Sequence, residues 1–508
     1  LIYYLETSSS YDVLIIGSGL GGLLSAAILA KEGMKVCVLE KNKQLGGCLQ
    51  TFSLHKQVFD SCVHYIGGLG EGHTLNKIFH YAGILDKLSL KGFDENGIDR
   101  ICFGNDAVSF PLAGGEENFI EQLLPYFPNE KNALQNYIKQ IKNVGDHFPL
   151  YRLRNGDVSE KAAVTNWELT ETLHSITQNK LLGNVLLGNN LLYAGNAGKT
   201  PFYLHALVSE SYIHSAHKVL PGSSQIAKFL AQEIRNQGGE IFRNTEVVNL
   251  AEENGRLQYA ETKDGQRFYG KYFIANTHPQ IALQMLQSSL IKPVTKKRIK
   301  GLEQTTSSFL LNLVLKPQTV PHRQHNIYWH QTPNALAGIH YKTENFPETY
   351  AVYFTESKMH PGFAESISIL TYMHYEEVST WMNTNNHTAH SEDRGKDYKE
   401  FKAKKSEQLL EKVYGRLPEL KGNIITQSAA TPLTFRDYTA TPQGALYGIL
   451  KDVNKPAETM IATRTKIPNL FFTGQNINMH GVLGVSITAL ATCSELVGMD
   501  YLLQKINQ

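Results

Sequence analysis

Apolar and polar positions run through this chain in two rhythms, and the change from one to the other marks its elements. Residues 13–16 are a short apolar run of strand type. Glycines follow, then an Ala/Leu-rich stretch of helical character reaching Glu32, where Gly33 stops it. Residues 35–39 read as a second strand with Glu40 at its end. Apolar positions at helical spacing return over 118–143, but Pro125 and Pro128 interrupt them, so two helices are expected. Residues 167–192 and 201–217 read as helical. Residues 223–237 form an amphipathic helix with Ser223 as its cap, ended by Gly238-Gly239.

Beyond that helix the period shortens. Residues 240–276 alternate like hairpin strands, closed by the turn dipeptides Asn254-Gly255 and Asp264-Gly265. Between 307 and 381 the runs FLLNLVL, NIYWH, TYAVYFT and SISILTYMH are strand-like. The polar run 383–397 is expected to be an exposed loop, and 397–414 a Lys/Glu-rich surface helix. Near the end, 470–473 reads as a buried strand, Gly474 as a close turn, and Gly481-Val482-Leu483-Gly484 as the start of an apolar helix. Strands interleaved with helices place the chain in the α/β class, with a large sheet as roof or floor of a cavity.

Composition narrows this only a little. With 508 residues, 42% hydrophobic and 19% charged, the chain is long enough for one or two large domains. A formal charge of +2 gives no case for nucleic acid as a partner. Five cysteines without a C-x-x-C pair favour reduced thiols in a cytoplasmic compartment and argue against structural zinc; no metal site is expected. The first ten residues lack the features of a signal peptide, and no run approaches the ~20 apolar residues of a spanning helix. The expectation is a protein that is soluble or attached to one membrane face.

The chemistry is concentrated at 11–47. Gly17, Gly19 and Gly22 are spaced G-x-G-x-x-G between strand and helix. The first allows a tight turn, the second a close approach of backbone to pyrophosphate, and the third close packing of helix on strand. The helix N-terminus offers N–H groups and partial positive charge to phosphate. Glu40, about 20 residues on, can accept from ribose hydroxyls. The pair Gly46-Gly47 so soon after the acid resembles FAD-binding oxidoreductases more than NAD dehydrogenases, so FAD is the expected cofactor. The helix start at Gly481 is read as aimed at the flavin ring.

The motifs now resemble a family along almost the whole chain: the polyene-handling FAD oxidoreductases comprising retinol saturases, carotenoid isomerases and phytoene desaturases. The matching pieces are 17–22, Gly46-Gly47-Cys48 with Thr51-Phe52, Phe59-Asp60-Ser61 with His64-Tyr65-Ile66-Gly67, Pro201 with Leu204-His205-Ala206, and the 221–230 helix start with Gly238-Gly239. Thr431-Pro432-Leu433-Thr434 with Tyr438, and Thr473-Gly474-Gln475, complete them. The retinol saturase branch is the nearest in motif. One departure is Asn476, where the family usually carries an acid facing the flavin ribityl–diphosphate.

The resemblance implies a glutathione-reductase-like, discontinuous FAD domain (1–90, 200–290 and 430–508) with an inserted mixed-sheet substrate domain (91–199 and 291–429). It implies Gly17, Gly19, Leu20, Gly22, Glu40, Lys41, Gly46, Gly47, Cys48, Val247, Gly474, Gln475, Asn476, Gly481 and Val482 at the cofactor, and His64, Tyr65 and His480 as catalytic candidates. The implied substrate is a lipophilic polyene drawn from a membrane by peripheral contact, with the electron donor open. Saturation by hydride from flavin N5 is the favoured reaction. Desaturation or cis–trans isomerisation at the same site is the alternative. A non-catalytic prenyl-binding protein of the GDP-dissociation-inhibitor type and an amine oxidase are the rival readings.

Overall fold

The computed structural model describes residues 10–157, 159–387 and 390–508, so part of the 383–397 run and most of the first ten residues lie outside the described residues. Two large sheets organise the chain. The first is parallel, with strands Glu240–Phe242, Val36–Leu39, Tyr11–Ile16, Arg267–Ala275 and Leu470–Phe472 side by side. Its register sets Val13 beside Val36 and Ile16 beside Ala275. Arg267–Ala275 serves twice: its second half runs parallel to Tyr11–Ile16, while its first half closes an antiparallel meander with Arg256–Thr262 and Val247–Glu253. The expected hairpins are therefore present for 247–275, but Glu240–Phe242 leaves them to extend the parallel sheet.

Helix Leu20–Lys31 lies beneath this sheet, every residue but Lys31 buried. It has no polar face because it is enclosed on all sides. Ile226, Leu230 and Ile234 of helix Ser224–Asn236 share its core with Ala489, Leu490 and Cys493 of helix Gly481–Val497. Ser223 does not cap helix Ser224–Asn236 as expected. Its hydroxyl donates to Asp60 Oδ1 at 2.7 Å, and its backbone N–H donates to the same oxygen at 2.7 Å, because Asp60 is a buried carboxylate in need of donors.

The second sheet has seven strands in the order Ile424–Ala430, Ser307–Leu315, Ala364–Met373, Thr349–Glu356, Asn326–His330, Asp99–Phe103 and Ser109–Leu112. Only Asn326–His330 and Asp99–Phe103 run parallel. All nine residues of Ser307–Leu315 are buried, which explains why it reads as an unbroken apolar run. Helices Glu116–Leu123 and Lys131–Asp146, split as the prolines require, cover this sheet with helix Phe202–His214. The expected helix over 167–192 is instead Leu169–Ile176, Lys180–Leu186 and a short turn, since Asn179 caps a new start by accepting from the N–H groups of Leu181 and Leu182. In the polar 383–397 run, Arg394 turns inward onto Asp437 rather than standing in solvent. The second core also takes in Phe202, Leu204, Leu433 and Phe435, from segments assigned by sequence to the cofactor domain.

Candidate functional site

The C-terminal ends of the parallel strands open into a cavity of about 470 Å³ that continues to the second sheet, the floor of the site, at Tyr353 and Leu370. Open α/β sheets bind ligands at this edge. Gly17 makes the turn out of the first strand at φ +95°, its N–H donating to the Leu39 carbonyl at 2.8 Å. A Cβ on Gly22 would stand 2.1 Å from the Gly17 carbonyl oxygen, so helix and turn are in contact only because it is glycine. Gly46-Gly47 has an equally physical reason. Gly19 and Gly46 are bridged, the Gly46 N–H donates to the Ser18 carbonyl at 3.0 Å, and a Cβ on Gly47 would lie 3.2 Å from Gly19 Cα. The second glycine pair packs on the first.

Glu40 is buried at the cavity edge. Its Oε2 accepts from the Ser18 N–H at 2.9 Å and the Ser18 hydroxyl at 2.6 Å, and its Oε1 accepts from the Asn42 N–H at 2.8 Å. The carboxylate thus ties the glycine turn to the second strand and keeps lone pairs for a ligand hydroxyl. Helix Pro432–Thr439 closes this end: its Asp437 and Tyr438 carbonyls accept from Lys41 Nζ at 3.4 Å and Asn42 Nδ2 at 3.0 Å.

Of the residues assigned to the cofactor from sequence, all but Gly22 line the cavity: Gly17, Gly19, Leu20, Glu40, Lys41, Gly46, Gly47, Cys48, Val247, Gly474, Gln475, Asn476, Gly481 and Val482. Gly22 sits one turn behind, where its packing role puts it. Asn476 has a task inside the chain, its Oδ1 accepting from the Ile449 N–H at 3.0 Å. Sequence reasoning missed Asn276, Thr277 and Thr473. Asn276 follows the fourth parallel strand as Gly17 and Glu40 follow theirs, so its position at the end of the FIAN run was the available signal. Asn42 Oδ1, Thr277 Oγ1, Thr473 Oγ1 and His64 Nε2 are buried lining atoms without a protein partner, donors and acceptors suited to a polar, hydroxyl-bearing ligand such as a flavin nucleotide.

The far wall is aromatic: His64, Tyr65, Tyr212, Tyr353 and Tyr447. Burial, with Lys218 adding to it, pushes the His64 imidazole down to about 3. Tyr65 turns its hydroxyl away from the cavity, donating to Asp99 Oδ2 at 2.9 Å and meeting the Tyr328 hydroxyl at 2.7 Å; burial holds it well above the usual phenol range. Asp99, itself pushed up to about 6 by burial, also accepts from Asn326 at 2.9 Å. His480 stands behind the wall, its ring 4.3 Å from that of Tyr447, and burial lowers it to about 4. Both histidines are neutral at pH 7, so neither offers an imidazolium proton. No helix among the described residues is long and apolar enough to cross a membrane.

Residues 15–82 match the NAD(P)-binding Rossmann-like domain. The chain is 28% identical to all-trans-retinol 13,14-reductase of Rattus norvegicus over 96% of its own length and 85% of that protein's. It is 22% identical to chloroplastic prolycopene isomerase 1 of an Oncidium hybrid cultivar, covering 98% and 86%. Among solved structures, an oxidoreductase from Methanosarcina mazei shares the fold at TM-score 0.64 and 16% identity, covering 94% of this chain and 99% of that one.

Proposed function

We propose that this chain, similar along nearly all of the sequence to all-trans-retinol 13,14-reductases and prolycopene isomerases, is an FAD-dependent oxidoreductase that reduces a C=C bond of a lipophilic polyene. The observation that carries this reading is one continuous cavity, with a dinucleotide cradle at one end and an aromatic wall at the other. Gly17, Gly19 and the N-terminus of helix Leu20–Lys31 would hold the pyrophosphate and Glu40 the ribose. Gly474, Gln475, Gly481 and Val482 would hold the rest. Bound there, FAD supplies hydride chemistry.

The chain's own residues do the remainder. Tyr212, Tyr353 and Tyr447 present apolar ring faces that orient a flat conjugated chain and exclude water from it. His64, neutral and with Nε2 unengaged, serves as a hydrogen-bonding group at the reacting face. Tyr65 fixes the wall through Asp99. Domain boundaries at about residues 90 and 290 belong to the same proposal, whereas helix Phe202–His214 and residues Leu433 and Phe435 pack with the second core and move the other two boundaries past 200 and 430.

Desaturation or isomerisation at this cavity is the second reading, favoured by the likeness to prolycopene isomerase. Likeness to polyene enzymes along nearly all of this sequence weighs against a GDP-dissociation-inhibitor type of lipid carrier. Anaerobic incubation of chemically reduced protein with retinol tests the reductase: flavin reoxidation with a dihydro product is expected. Isomerised polyene without net reduction would favour the second reading, and no turnover of any polyene in either flavin state would sink both. Peripheral membrane contact follows from the substrate class; liposome flotation should carry the protein upward.

A further inference from the structure

Cys48 and Cys62 meet at the open end of a hairpin. Strands Thr51–Leu54 and Gln57–Asp60 pair from Leu54–Gln57 down to Thr51–Asp60, and the next rung is the Ser61 N–H to Gln50 carbonyl bond at 3.1 Å. Cys62 is one residue past that rung on one side, and Cys48 two residues past it on the other. Continued, that register sets Leu49 opposite Cys62, so Cys48 is the chain neighbour of the facing residue, in the short turn Gly47–Leu49, and its thiol is in side-chain contact with that of Cys62. Both thiols are free, half-buried and line the same cavity. Cys37, Cys102 and Cys493 are instead buried in the cores. Cys48 directly follows Gly47, the residue packed on Gly19 of the glycine turn.

The two thiols also perturb each other. The Cys62 thiol hydrogen-bonds to Cys48 sulfur, which holds Cys48 below the usual thiol range, and this contact together with burial sends Cys62 far above it. A thiol held below its usual range beside a protonated partner is an arrangement from which disulfides form and exchange.

We propose that Cys48 and Cys62 are a dithiol–disulfide couple facing the cofactor, through which an external dithiol supplies the reducing equivalents. Both S–H bonds break and one S–S bond forms. Two electrons and one proton pass to the oxidised flavin, and the second proton passes to solvent. The disulfide is reopened by two successive thiol–disulfide exchanges with the external dithiol, which leaves as its own disulfide. This rests on the flavin reading above and names the class of donor it needs.

The test weighs peptides. Anaerobic holoprotein is treated with diamide, alkylated with iodoacetamide and digested with trypsin. A product joining 44–56 to 57–77 is expected, absent from Cys62→Ser. Cys48 and Cys62 recovered separately alkylated would overturn the proposal. In a second arm, dithionite titration of the diamide-treated protein should take about four electrons per flavin in the wild type and about two in Cys62→Ser. A linked peptide with only two-electron uptake would overturn the role toward flavin. Linked peptides from a colourless protein would defeat the cofactor reading and leave the thiol couple standing.

Discussion

The imidazole of His64 lies flat on the ring of Tyr353, centroids 4.3 Å apart and planes 11° from parallel. The stack joins the loop after the second glycine pair to the floor sheet, so the cofactor end and the aromatic end of the cavity share one wall. Burial, with Lys218 adding to it, keeps His64 neutral in that wall.

Acid should unfold this protein early. His64 and His205 are lowered to about 3, and His278, His330 and His480 to about 4, all by burial. Between about pH 6.5 and those values the unfolded chain binds more protons, so stability falls as pH falls, by up to ~1.4 kcal/mol per unit for each group. Asp99 and Glu210, raised to about 6 and about 7, act oppositely, holding protons in the folded state and losing that stability as pH rises through the same window. Five histidines outweigh two carboxyls. Urea midpoints measured from pH 7 down to 4.5 should drop steadily; a flat profile would show that the histidines are hydrated.

Two glycines on helices should respond in opposite directions. Gly22→Ala puts a methyl carbon 2.1 Å from the Gly17 carbonyl oxygen, and backbone on backbone cannot yield without parting helix from turn. Loss of bound yellow cofactor, or insoluble protein, is expected. Gly183→Ala, inside helix Lys180–Leu186 with nothing within 4 Å of the new carbon, should gain about 0.5–1 kcal/mol from helix propensity. Visible absorbance and thermal melts report both.

The dinucleotide half of the site was legible because each of its residues answers a local demand: turn, close approach, helix start, strand-end acid. The aromatic half was not. Tyr65 reads as a catalytic candidate beside His64, yet its hydroxyl is committed to Asp99, a residue 34 positions away on a strand that the hydrophobic pattern did not reveal. Asp99–Phe103 reads DRICF, with a charged residue buried by tertiary pairing alone. Ser223 fails in the same way, since a cap signal within its own helix loses to a buried carboxylate 163 positions earlier. Periodicity records which face is covered, but not which distant polar group completes it.

Glu40→Gln separates brace from ligand. The glutamine keeps an acceptor for one neighbour but loses the charge that strengthens the Ser18 and Asn42 bonds, each worth about 1.5–3 kcal/mol when charge-assisted. Because the same bonds fix the glycine turn, FAD affinity should fall roughly 10- to 100-fold, read as flavin lost on dilution and gel filtration. Unchanged retention would mean that the turn is held by its glycines alone.

Asp437 is the last lever. It is enclosed between Arg394 and Arg436 and accepts the Asn386 N–H at 2.9 Å, with both Asp437 and Arg394 side chains almost wholly buried. Asp437→Asn leaves the Arg394 guanidinium buried without a counter-charge, a loss of about 3–5 kcal/mol. The carbonyls of Asp437 and Tyr438 hold Lys41 and Asn42 across the cavity mouth, so the same change should weaken FAD binding along with stability. Arg154→Ala, which breaks an exposed pair with Glu160, should leave both untouched. Calorimetry with and without added FAD distinguishes the coupled loss from simple destabilisation: in Asp437→Asn the stabilisation by ligand should shrink, whereas a structural defect remote from the cavity would lower both melts equally.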